Sequence, residues 1–162
     1  MPQFKHAPIQ RHPALTPLSR DHYTGLVCAQ RSIRAADAHA VDRREALGIF
    51  LDAWFREIDE HIRDEERLLI ELMNPGDRDR LLTEHARLRR LADEARAERR
   101  QTDPDADWLR RLGETLRDHI RWEERELFPR IEDDASEEQL AVIRHETDAI
   151  EDARPRSADR NS

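Results

Sequence analysis

Along four stretches of the chain, apolar residues return every third or fourth position. That spacing gathers side chains on one face of an α-helix. The first stripe runs His22, Leu26, Ala29, Ile33 and Ala36. The second runs Leu47, Phe50 with Leu51, Trp54, Ile58, His61, Glu65, Leu68 and Leu72. The third holds Leu81, His85, Leu88, Ala92 and Ala95, and the fourth Leu109, Leu112, Leu116, His119, Glu123, Leu127 and Ile131. No window of strict apolar alternation competes with these stripes, so strands are not expected.

Breakers set the limits of the elements. Residues 1–17 carry four prolines and no helical period, and read as an extended arm. Ser19 is placed to cap a helix that reaches about residue 38. A second helix spans roughly residues 41–73 and is broken by Asn74-Pro75-Gly76, and a third covers about 77–100. Thr102-Asp103-Pro104 supplies a stop, a cap and a first-turn proline for a fourth helix over about 105–132. Ser136-Glu137-Glu138-Gln139 matches a capping box, and the short fifth helix it opens fades near residue 152, before a polar tail read as disordered. The expected fold is all-α. An up-down-up-down four-helix bundle occupies residues 18–135, preceded by the N-terminal arm and followed over 136–162 by a short C-terminal fifth helix and tail.

Charged residues make up 40% of the chain and hydrophobic ones 37%, enough for narrow buried stripes under highly charged outer faces. The net charge of -8, with no basic block, repels phosphate backbones and argues against a nucleic-acid partner. No apolar run is long enough for a membrane span and the first residues lack a signal pattern, so a cytoplasmic setting is expected. The single cysteine, Cys28, excludes an intramolecular disulfide and reads as an inert small core residue.

Four histidines and two glutamates interrupt the stripes, where polar groups are expensive. An ionised carboxylate in a core costs several kcal/mol unless something pairs with it. Six such groups converging from four helices need a common partner, and divalent cations supply one. His and Glu at i and i+4 are stacked neighbours on a helix and can reach one metal or a close pair. Imidazole with carboxylate and no thiolate suits iron, manganese or zinc. The chain also repeats itself: Glu60-His61-Ile62-Arg63-Asp64-Glu65-Glu66-Arg67 matches Asp118-His119-Ile120-Arg121-Trp122-Glu123-Glu124-Arg125, and Asp21-His22 echoes Glu84-His85. Two similar hairpins facing each other would build a pseudo-symmetric site.

In these features the chain resembles the hemerythrin-like family. The family's pattern is a His on the first helix, H-x-x-x-E on the second, a His on the third and H-x-x-x-[E/D] on the fourth. Here the matching residues are His22, His61 with Glu65, His85, and His119 with Glu123. Leu18-Ser19-Arg20-Asp21-His22 and Glu123-Glu124-Arg125-Glu126-Leu127-Phe128-Pro129 carry the same likeness. The resemblance implies two non-haem Fe ions inside a helical bundle, bridged by the two glutamates and by an oxo or hydroxo group. Histidines would fill the terminal positions, with one face open to O2, NO or peroxide. It further implies a protein that binds or senses dioxygen or iron status. The alternatives are an enzyme-like di-iron role in peroxide or nitric oxide chemistry or in iron-sulfur cluster repair, or a structural bundle with zinc or no metal.

Oxygen carriers of the family place two histidines four apart on the third helix, whereas His85 has Leu81 and Arg89 at those positions. Tyr23, Glu84, Glu124 and His39 are the candidates to replace the missing ligand. The acidic residue before each ligand histidine (Asp21, Glu60, Glu84, Asp118) reads either as a hydrogen-bond partner of a neighbouring imidazole or as part of a solvated face. Trp54 and Leu116 are candidates to wall the pocket. His6, His12, His39 and His145 are expected at the surface. There is no Glu-x-x-His pair of the ferritin-like kind, no H-E-x-x-H and no Gly-rich phosphate loop.

Overall fold

The computed structural model describes residues 10–154. Among the described residues every regular element is helical. Helix α1 spans Thr16–Ala36. The second rod is continuous but composite: α2 (Ala40–Ala53), a π turn (Trp54–Ile58), α3 (Asp59–Leu69) and a closing 3-10 turn (Ile70–Leu72). The third rod is α4 (Pro75–Arg99). The fourth joins α5 (Ala106–Trp122), a π turn (Glu123–Leu127) and α6 (Phe128–Asp134). A separate α7 spans Glu137–Ala153. None of these helices is long and apolar enough to cross a membrane.

Several boundaries differ from the sequence expectation, each for a local reason. Helix α1 starts at Thr16, with Pro17 in its first turn, so Ser19 is a helical residue rather than a cap. Asn74 does not merely break a helix. Its side chain accepts from the Asp77 amide and caps α4, with Pro75 at the first position. The cap of α5 is Asp105, which accepts from the Trp108 amide, and Asp103 instead pairs with Arg43. The capping box at Ser136 is present as read, with Gln139 as its reciprocal partner.

The described part of the arm is packed rather than extended into solvent: Ala14 and Leu15 are fully buried, and His12, expected at the surface, is half-buried with Nδ1 accepting from the Ala14 amide. His6 and the tail beyond Arg154 lie outside the described residues.

On α1 the buried face also departs from the stripe. His22, Ala29 and Ala36 are buried as expected, but Leu26 is 36% exposed and Ile33 half-buried, and Gly25, Cys28, Ser32 and Ala35 complete the face. These small residues let α1 approach α5 closely. A Cβ on Gly113 would lie 2.6 Å from the Ala29 carbonyl oxygen, and one on Gly25 would lie 2.7 Å from Ile120 Cδ1. The stripes on α4 and on the fourth rod are buried as expected. The core falls into two apolar clusters, one around Phe50, Leu88 and Leu112 and one around Leu69, Leu81 and Phe128. His85 stands between Leu81 of one cluster and Leu88 of the other, and His119 between Leu116 and Leu127.

Candidate metal centre

All six residues singled out by the stripes meet in this layer, and all are buried. His22 is 4% exposed, His61 8%, and Glu65 and His85 are fully enclosed. His61 and Glu65 sit one turn apart on α3, and their close atoms, Nε2 and Oε1, are 2.8 Å apart. His119, on α5, and Glu123, at the start of the π turn, repeat that relation at 2.9 Å. Each glutamate offers one oxygen to each half of the layer. Glu65 Oε1 lies near His61 and 3.3 Å from His22 Nε2, while its Oε2 is 3.3 Å from His85 Nε2. Glu123 Oε1 lies 2.9 Å from His119 and 3.6 Å from His85, while its Oε2 is 3.0 Å from His22.

These atoms divide into two groups that could each hold a cation: His22, His61, Glu65 and Glu123, and His85, His119, Glu65 and Glu123. The two groups share both carboxylates. The imidazoles are arranged alike in each half, with the His22–His61 and His85–His119 ring centroids both 4.9 Å apart and nearly perpendicular. His61 Nε2, Glu65 Oε2, His85 Nε2, His119 Nε2 and Glu123 Oε1 are buried without a hydrogen-bond partner. Lone pairs that crowd together without hydrogen-bond geometry leave a full desolvation cost unmet, and a cation at their focus removes it. The donor set therefore fits a pair of divalent ions.

The outward ring nitrogen of each histidine faces a carboxylate. His22 Nδ1 lies 2.6 Å from Glu124, His61 Nδ1 3.1 Å from Asp21, His85 Nδ1 2.9 Å from Glu66 and His119 Nδ1 3.1 Å from Glu84. Such partners fix the tautomer, keeping the proton outside and the Nε2 lone pair inside. Of the four acidic residues that precede a ligand histidine, Asp21 and Glu84 take this role, whereas Glu60 and Asp118 are solvated. The other two partners, Glu66 and Glu124, follow the inward glutamates. Glu66 was not expected from the sequence, although the Glu-Glu doublet repeated at 65–66 and 123–124 carries the signal.

Glu84 and Glu124 are each engaged with an outer imidazole nitrogen. Tyr23 is 73% exposed, and His39 is exposed at the start of α2, where its amide donates to Asp42. Each of the two groups brings two histidines together, His22 with His61 and His85 with His119. His145 is exposed as expected. A cavity of about 20 Å³ opens on the layer, lined by His22, His61, Glu65, His119 and Glu123, by Asp21 and Glu57, and by Gly25, Ile58, Ile62, Leu88, Leu116 and Ile120. Leu116 takes the walling role expected of it, while Trp54 packs on Phe50 instead.

Charge follows the geometry. Burial opposes charging of His61, but Glu65 and Asp21 outweigh it and push the pKa up to about 9. His85 is likewise raised to about 9 against its burial by Glu123 and Glu65, and His119 to about 10 by Glu123 and Glu84. His22 is also raised, by Glu123, Glu124 and Glu65 against burial. Glu65 is held well below the carboxylate range because the imidazoles overcome its desolvation, and Glu123 is lowered despite both burial and the Glu65 charge. Protons therefore bind this layer tightly, and a cation must displace them. Cys28 is buried, and desolvation raises its thiol pKa, as suits an inert core residue.

The family model for the hemerythrin HHE cation binding domain matches residues 26–131 and, again, residues 77–153. Comparison with curated proteins finds no match. Comparison with solved structures finds none either.

Proposed function

The chain belongs to the hemerythrin HHE cation binding domain family, and from that premise we propose that it is a non-haem di-iron protein that binds or senses dioxygen or reports iron status. The observation that carries this reading is the sharing of Glu65 and Glu123 by two four-residue groups, the arrangement a bridged metal pair requires. His22 and His61 would hold one ion and His85 and His119 the other. Iron supplies reversible one-electron chemistry and affinity for small diatomic molecules, and the His/carboxylate set without thiolate suits it. The cavity of about 20 Å³ accommodates a group about the size of one water. The apolar side chains that share its lining with the His/Glu layer, among them Ile58, Ile62, Leu88 and Leu116, favour an uncharged ligand such as O2 or NO.

The reading takes the four rods as an up-down-up-down bundle. Pairs between rod ends support it: Asp37 at the end of α1 meets Arg110 at the start of α5, and Asp77 at the start of α4 meets Arg130 in α6. A cytoplasmic setting and the absence of a nucleic-acid partner belong to the same proposal.

A second reading, turnover of peroxide or nitric oxide, is favoured by the two-histidine set on each half, which leaves coordination positions for an exogenous ligand. The test is anaerobic loading with ferrous iron, metal analysis, and an absorption spectrum followed through exposure to air and then vacuum. Two irons per chain with bands that appear in air and reverse under vacuum support oxygen binding. Bands that decay, with consumption of added peroxide or nitric oxide, favour the second reading. A protein that takes up only zinc or no metal, with no spectral change, overturns both.

A further inference from the structure

Each carboxylate that holds an outer imidazole nitrogen is itself held by an arginine. Glu66 Oε1, facing His85, accepts from Arg89 at 2.9 Å, and Glu84 Oε2, facing His119, meets Arg80 at 3.4 Å. Both arginines ride on α4 with His85, Arg89 one turn after it and Arg80 one turn before Glu84. Both braces of this half therefore come from α4, the rod that carries His85.

The other half cannot be braced that way. By the internal repeat, His22 corresponds to His85 and Asp21 to Glu84, so the positions equivalent to Arg89 and Arg80 are Leu26 and Pro17. Neither can pair with a carboxylate. The cations come instead from the two ends of the described chain. Arg11, in the arm and with its side chain only 6% exposed, donates to Glu124 Oε2 at 2.9 Å and to the Glu124 carbonyl at 2.7 Å. It also reaches Ser19 and Glu132 and lies over the Phe128 ring. Arg154, just past α7, grips Asp21 with both nitrogens, at 2.6 and 2.7 Å. A two-point guanidinium grip fixes the plane of a carboxylate, and that plane sets the orientation of the imidazole it holds.

We propose that Arg11 and Arg154 are positioning residues for the His22/His61 half of the centre, so that cation binding in that half depends on the segments that carry them, the described part of the arm and the end of α7, being docked. The arm and α7 are also tied to each other, because Thr147 Oγ1 donates to the Ala14 carbonyl at 3.1 Å. Undocking either segment releases one half and leaves the His85/His119 half in place. The inference rests on the two-cation reading above and goes beyond it, by making the halves unequal.

The test is an anaerobic titration with ferrous iron that resolves both binding steps, in wild type and two double variants. Arg11→Ala/Arg154→Ala strikes one half, and Arg89→Ala/Arg154→Ala strikes one brace in each. The first pair is expected to leave one tight step and to weaken the other about 10–100-fold, the usual cost of losing an outer partner. The second pair is expected to weaken both steps. Arg154→Lys, which keeps the charge, should recover part of the loss. General loosening of the fold would weaken both steps in both variants, so that result overturns the inference. Equal, unweakened binding in both does the same. Melting temperatures of the metal-free variants report folding, and Arg11→Lys replaces Arg11→Ala if the latter does not fold. Wild type that fails to bind two irons overturns the di-iron reading itself, whereas wild type that binds two with non-selective variants overturns this inference alone.

Discussion

The apolar cluster around Phe50, Trp54, Leu88, Leu109 and Leu112 is made wholly from the four rods. The cluster around Leu69, Leu81, Leu127 and Phe128 is completed by other parts of the chain: Ala14 and Leu15 from the arm, and Leu140 and Ile143 from α7. The His/Glu layer lies where the two meet. Its costly polar groups are thus sealed on one side by residues that cannot leave without unfolding the bundle. On the other side they are sealed in part by segments joined to it only through short connections. The same segments carry Arg11 and Arg154 to the outer carboxylates of one half of the layer. In physical terms, the first cluster serves stability and the second couples those segments to the site.

The sharpest way to break this comparison is to remove equivalent bulk from each cluster. Leu112→Ala should cost about 3–5 kcal/mol, because a fully buried side chain is replaced by a cavity that rigid rods cannot close. Leu140→Ala should cost nearer 2 kcal/mol in the metal-free protein, since α7 can shift to fill the gap. Denaturant unfolding of both variants decides the matter, and equal losses would mean that α7 is as integral as the rods.

Within the first cluster, Gly113→Ala should cost about 1–3 kcal/mol, because the new methyl would meet the Ala29 carbonyl and force α1 and α5 apart. A melting temperature equal to wild type would show that these helices do not need their close approach.

The layer between the clusters gives a pH dependence whose sign depends on the metal. In metal-free protein the histidines are charged when folded up to about pH 9 to 10, against about 6.5 when unfolded. Their contribution is complete below about pH 6.5 and is lost as pH rises through 9 to 10. The depressed Glu65 and Glu123 contribute above their usual value of about 4.5 and lose that contribution as pH falls through their lower folded values. Metal-free protein should therefore melt highest between about pH 4.5 and 6.5. Cation binding needs neutral imidazoles and releases protons, so the stabilisation by ferrous iron should grow over the same rise in pH and vanish below about pH 6. Melting curves with chelator and with iron across pH 5–9.5 test both signs. A metal-free protein that gains stability from pH 7 to 9 would contradict the charge arrangement.

The smallest expected change lies outside both clusters. At Gly48 a Cβ would meet only the flexible end of Arg99, at 3.4 Å. Gly48→Ala should therefore stabilise α2 by roughly 0.5–1 kcal/mol through helix propensity, and a lower melting temperature would count against that reading.

Much of this could be read in the sequence, because a helical stripe interrupted by charge is a strong statement about cost. Four residues of the layer stood out since His61, Glu65, His119 and Glu123 occupy positions where Leu would otherwise pack, and the duplicated octapeptide put them in register, while His22 and His85 were marked by the shorter Asp21-His22 and Glu84-His85 echo. The two π turns were not legible: Trp-Phe-Arg-Glu-Ile and Glu-Glu-Arg-Glu-Leu are ordinary helix formers, and the extra residue in each turn is selected by packing. Four prolines hid the packed arm, since they signal an absent helix and say nothing about whether Arg11 or Leu15 is buried. On α1, Leu26 outweighed Gly25 by size, although close approach to α5 favours the smaller residue. The bracing arginines were invisible for a different reason: Arg11 and Arg154 reach Glu124 and Asp21 across more than a hundred residues of chain.

Native mass spectrometry after anaerobic ferrous loading tests most directly the proposal that one layer of six side chains holds two cations. Wild type and the surface variant His145→Ala should carry two irons per chain, and His61→Ala and His119→Ala fewer. Equal iron content in all four proteins would contradict the assignment of this layer as the metal centre.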